Sequence, residues 1–292
     1  MPKQTQIGKH HFHWGSQTYV MGIINVTPDS FSGDGIYQDK AKVVDRSVRQ
    51  ATNFVEHGAH LLDVGGESTR PGAEQVNDHD EIARVIPVIE ALVDAVDVPI
   101  SIDTYKADVA KAALDAGASL VNDIWGLQKN RDMASLCAQR GIPIILMHNR
   151  SQPDFVSKTE DLGGRYVETE YENLLDDVAT ELQQSVDIAK QAGISDHNII
   201  LDPGIGFGKT VDQNLILTHN LHHFKSLGYP LLFGPSNKSF IGYTLNLPPE
   251  DRLEGTASAI AVGIDRGADI IRVHHVKAMS RVARMTDAIV RS

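Results

Sequence analysis

The chain has 292 residues, enough for one large domain or two small ones. It is 41% hydrophobic and 22% charged, the composition of a soluble globular protein, and it has no 18-residue apolar run to span a membrane. With 27 basic and 38 acidic residues its net charge is −11, which argues against nucleic acid or an anionic membrane as a partner.

The first stretch, MPKQTQIGKHHFHWGSQ, lacks the apolar segment of a signal peptide, so a cytoplasmic protein is expected. Residues 1–18 read as an N-terminal extension and 19–292 as one domain. His10, His11 and His13 could bind a metal, but they lack a second ligand group in sequence and read as structural or disordered. Trp14 and Tyr19 read as core, in a short strand closing the bottom of the fold.

The first long apolar run is YVMGIINV. After it, one pattern recurs six times: a polar helix end, a Gly, then an apolar run that ends in polar chemistry. The six are EHGAHLLDVGG, DAGASLVNDI, QRGIPIILMH, QAGISDHNIILD, SLGYPLLFGPS and DRGADIIRVHH. Gly58, Gly117, Gly141, Gly193, Gly228 and Gly267 suit the left-handed residue just past a helix C-terminus. The runs that follow, rich in Val, Ile and Leu, read as parallel strands buried on both faces. VPISID, after a helix that ends without Gly at Asp97, brings the strands to eight. Between them lie helical spacings. Residues 80–96 carry apolar positions at Ile82, Val85, Ile86, Ile89, Val93 and Val96, with Pro87 expected to cost a backbone bond and kink the helix. Eight βα units in this length predict an α/β protein of the (β/α)8, or TIM, barrel class; a doubly wound open sheet is the competitor.

The stretch IILDPGIGFGKT ends like a phosphate-binding loop at Gly208, Lys209 and Thr210. Pro203 occupies the position where that loop needs a Gly, and proline has no N–H to offer. The loop therefore reads as Gly-rich but not nucleotide-binding, with Lys209 a surface residue. Thr210 and Gln213 read as a capping box opening the sixth helix, with His222 and His223 on its surface. Cys137, the one cysteine, reads as a small core residue.

In a barrel of this class the site lies at the C-terminal ends of the strands. Those ends carry Asn25, Asp63, Asp103, Asn122 with Asp123, His148, Asp202, Ser236 with Lys238, and Arg272 with His274. Any one of them could simply cap the next helix. Together they place several carboxylates at one mouth, where they would repel unless met by donors or cations. Asp103, Asn122 and Asp202 suit the N–H edge of a flat heterocycle. Arg272, His274, Asn25 and the loop GESTRPG suit a phosphorylated group. TPDSFSGDGIYQ and GESTRPGAEQVND are long enough to serve as lids over the mouth.

From about Val20 to the C-terminus, the ordered set MGIINVTPDSFSGDG, LLDVGGESTRPGA, ISIDT, VNDI, ILMHNR, IILDPGIGFGK, KSFIG and RVHHV resembles the dihydropteroate synthases of folate biosynthesis. The resemblance implies a TIM barrel, a homodimer, inhibition by sulfonamides and a Mg²⁺-dependent transferase. That enzyme would join 6-hydroxymethyl-7,8-dihydropterin diphosphate to p-aminobenzoate. It assigns Asp103, Asn122, Met147, Asp202 and Lys238 to the pterin, and Asn25, Thr69, Arg272 and His274 to the diphosphate. It places Asn25 on the metal side, and Thr69, Arg70, Pro71, Phe207 and Ser239 around p-aminobenzoate. Asp103, Asp202, Lys238, Arg272 and His274 would carry catalysis. Two positions depart from the family pattern: Asn237 stands for its usual Arg and His275 for its usual Asp. A pterin-dependent methyltransferase domain and an inert pterin-binding relative are the alternatives; neither is expected to release diphosphate.

Overall fold

The computed structural model describes residues 2–27, 40–68, 75–152, 155–159, 161–167 and 169–292. Residues 28–39 and 69–74, which hold most of the two long loops expected as lids, lie outside the described residues, and with them Thr69, Arg70 and Pro71.

Eight parallel strands form the centre: β3 (Tyr19–Asn25), β4 (Leu61–Gly65), β5 (Ile100–Asp103), β6 (Leu120–Asp123), β7 (Ile144–Met147), β10 (Ile199–Asp202), β11 (Leu232–Phe233) and β12 (Ile270–Val273). They pair in the order β10-β7-β6-β5-β4-β3-β12-β11. A parallel bridge between Leu201 and Leu231 brings the two edges together and closes the barrel. The helices between them are α1 (Lys40–Glu56), α2 (Asp78–Ala95), α3 (Ala107–Asp115), α4 (Asp132–Arg140), α5 (Leu174–Gln191), α6 (Val211–His219), α7 (Ser239–Leu245), α8 (Leu253–Asp265) and α9 (Val276–Val290). The eight strands and the barrel class agree with the repeat. The six helix-ending glycines all adopt positive φ, from +63° at Gly141 to +112° at Gly117. The capping box of Thr210 and Gln213 is present. Helix α2 starts two residues earlier than expected, capped by Asn77, and continues through Pro87 to Ala95.

Residues 1–18 do more than extend the chain. Strands β1 (Gln4–Ile7) and β2 (His10–His13) form an antiparallel hairpin. Its Ile7, Phe12 and Trp14 pack with Tyr19 against Met21, Leu61, Leu120, Ile145, Ile200, Leu232 and Ile270, which fill the lower barrel. The histidines of β2 thus belong to a structural plug. A second hairpin, β8 (Val156–Thr159) with β9 (Gly163–Tyr166), follows β7 and was not expected. Beyond α6, His222 and His223 lie on a separate 3-10 helix, Leu221–Leu227, rather than on α6 itself.

Side chains alternate across a strand, so the residues two positions above that lower layer also point inward. The register places Ile23 beside Asp63, Asp63 beside Ser101, and Asn122 beside Ile145. One layer up the interior turns polar, with Asp63, Asp103, Asn122, Asp202 and Arg272 all of this parity. The barrel is an apolar column with a polar top, and that top is where ligand chemistry can occur.

Candidate active site

Arg272 organises the polar top. Its Nε donates to Asp63 Oδ2 at 2.6 Å and its Nη2 to Asp103 Oδ2 at 2.6 Å. Asn122 Nδ2 also donates to Asp63 Oδ2, at 3.1 Å. Asp63 is fully buried. On each carboxylate the second oxygen, Asp63 Oδ1 and Asp103 Oδ1, is buried with no hydrogen-bond donor among the described residues. A buried acceptor left unpaired costs about 1–3 kcal/mol, so each of these oxygens is a standing demand for a donor.

Asp103 lines a cavity with Asn122, Ile124, Met147, Asp202, Phe207, Gly234, Lys238 and Arg272. It is small, and the cations Arg272 and Lys238 are among its walls. Lys238 Nζ donates to the Ile205 carbonyl and sits 4.3 Å from the centre of the Phe207 ring. Asp202 Oδ1 accepts from Gly204 N at 2.7 Å. Burial pushes the Asp103 carboxyl up to about 7; Arg272 opposes the rise and Asp63 adds to it. Burial likewise raises Asp202, against the pull of Lys238. The Lys238 amine is pushed down to about 7 by burial, with Asp202 opposing. An acid and a base held near neutrality in one cleft, Asp103 and Lys238, are a frequent signature of a functional site.

His274 stands beside the cavity with Nδ1 3.0 Å from Ser236 Oγ. Asn25 ends β3, half-buried, and Ser239 opens α7, half-buried. The strand-end Asp123 proves to be a cap, accepting from Trp125 N and Leu127 N at 2.9 and 2.8 Å. Cys137 is buried in α4 and its thiol is pushed up to about 12, which makes it inert as a nucleophile. A larger groove of about 730 Å³ lies on the outside, lined by Arg150, Tyr171, Glu181 and Gln213 among others. Its volume exceeds that of the central cavity, but it holds none of the strand-end residues.

A family described as pterin binding enzyme matches residues 21–274, most of the chain. The dihydropteroate synthase of Clostridium beijerinckii is 50% identical over 98% of this chain and 99% of its own. The chain belongs to the dihydropteroate synthases, a family of pterin-binding transferases. Solved structures agree. The dihydropteroate synthase of Clostridium difficile, determined in the presence of pteroic acid, is 43% identical, with a TM-score of 0.85 over 96% of this chain and 99% of that one. The Yersinia pestis dihydropteroate synthase, in a sulfonamide drug complex, is 36% identical, with a TM-score of 0.88 over 99% and 100%.

Three members of the synthase fold escaped the sequence reading. Asp63 stood among the strand ends but was given no role; its place in the third position of β4, on the same face as Gly65, sets it one layer below Asp103. Lys106 lies outside every motif of the sequence. It clamps a buried cluster, with Nζ 2.5 Å from Glu67 Oε2, 2.6 Å from Glu81 Oε2 and 2.5 Å from the Val76 carbonyl. It thereby ties Glu67 to Val76 at the base of the second long loop. Lys209, expected on the surface, is a correction: it is 2% exposed. Its amine reaches back into the Gly-rich loop, where carbonyl oxygens replace water.

Proposed function

We propose that the chain joins 6-hydroxymethyl-7,8-dihydropterin diphosphate to p-aminobenzoate, giving 7,8-dihydropteroate and diphosphate. The observation that carries this reading is the unpartnered Asp103 Oδ1 in a cavity shared with Asn122, Asp202 and Lys238. A pterin offers a row of ring and exocyclic N–H donors, and the cavity offers the acceptors. Asp103, Asn122 and Asp202 take the pterin edge; Lys238 donates to its ring acceptors and Met147 supplies an apolar wall. Asp63 fixes Arg272 and Asn122 and so orients two of these groups at once.

The bond that breaks joins the pterin methylene carbon to the diphosphate oxygen, and its electron pair leaves with diphosphate. The ring delocalises the positive charge left on carbon, and the nearby carboxylates stabilise it. The Nη1 group of Arg272, uncommitted to any described residue, joins His274 and Thr69 at the departing diphosphate. The lone pair of the p-aminobenzoate nitrogen then forms the new C–N bond, and the proton the amine loses passes to the released diphosphate or to water. Phe207, Ser239, Thr69, Arg70 and Pro71 position this second substrate. No covalent enzyme nucleophile takes part.

Mg²⁺ suits this donor set. Asn25 offers one amide oxygen with no hydrogen bond to a described residue, and Mg²⁺ characteristically takes few protein ligands beside substrate phosphates. When bound at Asn25 the ion would neutralise charge on the departing diphosphate. The chain works in the cytoplasm as a homodimer. No helix among the described residues is long and apolar enough to cross a membrane. Val262 on α8 and Met285 and Ile289 on the adjoining α9 stay exposed, Met285 at 63%, and give a second copy an apolar surface to cover. Sulfonamides compete at the p-aminobenzoate side.

The deciding assay is diphosphate release from the pterin diphosphate with p-aminobenzoate present. No release from folded protein rejects the synthase reading. Asp103→Ala should weaken pterin diphosphate binding by about tenfold or more in calorimetric titration, the scale of a lost charged hydrogen bond of about 1.5–3 kcal/mol. Circular dichroism checks that the variant is folded, and unchanged affinity would remove Asp103 from the pterin site. Met285→Glu should shift the sedimenting species from dimer to monomer, since a charge would enter an apolar contact. A dimer that persists places the interface elsewhere.

A further inference from the structure

Lys209 is left unused by the reaction, yet few side chains in the chain are held so completely. An ammonium has three N–H donors, and Lys209 Nζ meets three acceptors: the Gly204 carbonyl at 3.0 Å, the Phe207 carbonyl at 2.9 Å and His148 Nδ1 at 2.9 Å. A donor at Lys209 requires His148 Nδ1 to be the acceptor, so the ring proton sits on Nε2. That nitrogen lies 3.0 Å from Glu181 Oε2 on α5, in a bent approach. Glu181 in turn receives Arg150 Nε at 2.8 Å. Burial pushes His148 down to about 4, helped by the Lys209 charge, which keeps its ring neutral at physiological pH. Burial also lowers Lys209 itself, opposed by Asp202 and Glu181.

The glycines around Lys209 serve the same contact. Gly204 has φ +72°, and a Cβ there would fall 1.8 Å from the His148 carbonyl oxygen. Gly208 has φ +60°, and a Cβ would fall 2.3 Å from the Arg150 carbonyl carbon. Residues 204–208 are therefore pressed backbone to backbone against 148–151. The stretch that looks like a phosphate cradle is a packing surface, and Lys209 is its rivet. On its other side the loop forms a wall of the cavity. Phe207 lines that wall under Lys238 Nζ, and the Ile205 carbonyl receives the same amine.

We infer that Lys209 is a positioning residue: without touching substrate, it sets the p-aminobenzoate side of the site by holding Phe207 and the Ile205 carbonyl in place, anchored outward through His148 and Glu181. The inference rests on Phe207 flanking p-aminobenzoate in the proposed function. It predicts a split between the two substrates, because Asp103 and Asn122 stand on other strands and Asp202, the pterin acceptor that adjoins the loop, is held by Gly204 N rather than by Lys209.

The test is steady-state kinetics of Lys209→Met, which keeps the stem and removes the three donors. The Michaelis constant for p-aminobenzoate should rise about tenfold, while that for pterin diphosphate stays within about threefold. Should Lys209→Met not accumulate as folded protein, His148→Phe removes the outward acceptor with a similar ring and should give the same split. Phe207→Ala separates the two layers of the argument. If it leaves the p-aminobenzoate constant unchanged, the assigned role of Phe207 fails and this inference with it. If Phe207→Ala raises that constant while the Lys209 or His148 variant raises neither, or both equally, Lys209 is only structural and the inference is overturned.

Discussion

An Arg272→Met variant is expected to lose about 3–5 kcal/mol of stability at pH 8, the cost of stripping one partner from a buried ion pair. Arg272 is the cation between Asp63, fully buried, and Asp103, 10% exposed. Without it two like charges face each other in the barrel and repel. The deficit should shrink at pH 5. Asp103 in the folded protein is already raised to about 7 from an ordinary value near 3.9. A raised carboxyl gives stability that is fully present below its unfolded value and fades as pH rises through its folded value. Removing Arg272 raises the folded value further, so the fade deepens above about pH 7. Below it Asp103 takes a proton and needs the guanidinium less. Urea midpoints at both pH values, converted through the slope, measure the two deficits. Equal deficits, or a loss below about 1 kcal/mol at pH 8, would show that Arg272 does not carry these charges.

What the sequence made legible was whatever repeats locally. Six of the eight barrel strands fall between a helix-ending glycine and a polar residue, so even the two-residue β11 is legible in SLGYPLLFGPS. The same strand ends exposed Asp103, Asn122, Asp202, Lys238 and Arg272, and the structure brings these five to one cavity. Hairpin β8–β9 was illegible because its residues, VSKT and GGRY, neither alternate nor cluster. It is tied to distant elements by Tyr243 Oη donating to the Gly163 carbonyl and Arg252 Nη2 to the Leu162 carbonyl. Buried cations were illegible for a related reason. Lys209 follows a glycine and precedes a helix cap, which reads as surface, and its ring partner His148 lies 61 residues earlier. Lys106 meets Glu67, 39 residues before it. Local sequence carries a charge but not the partner that lets it be buried.

A Lys238→Ala variant is expected to lose roughly 10–100-fold in kcat/KM, while Asn237→Arg stays within about tenfold. Lys238 donates a charged hydrogen bond, worth about 1.5–3 kcal/mol, from inside the cavity. Its removal also frees the Phe207 ring and the Ile205 carbonyl from their shared cation. Asn237 points elsewhere. Its Nδ2 lies 3.3 Å from His275 Nε2, so the two departures from the family's pattern meet each other. A neutral Asn–His contact stands where an Arg and an Asp are usual, and exchanging one alone leaves a mismatch. Asn237 also adopts φ +56°, a conformation asparagine tolerates and arginine reaches at a cost of about 1–2 kcal/mol. Asn237→Arg should therefore lower stability more than activity, and His275→Asp should recover part of it, since an exposed ion pair contributes about 0–1 kcal/mol. Denaturation of the two single variants and the double variant measures this coupling. A coupling of zero would mean that the two exchanges are independent. Kinetics of the same proteins test the rest. If the unmodified chain releases no diphosphate while Asn237→Arg creates that activity, the inert-relative reading replaces the synthase. If Asn237→Arg proves as damaging as Lys238→Ala, the neutral pair reaches the substrates and the cavity extends to residue 237.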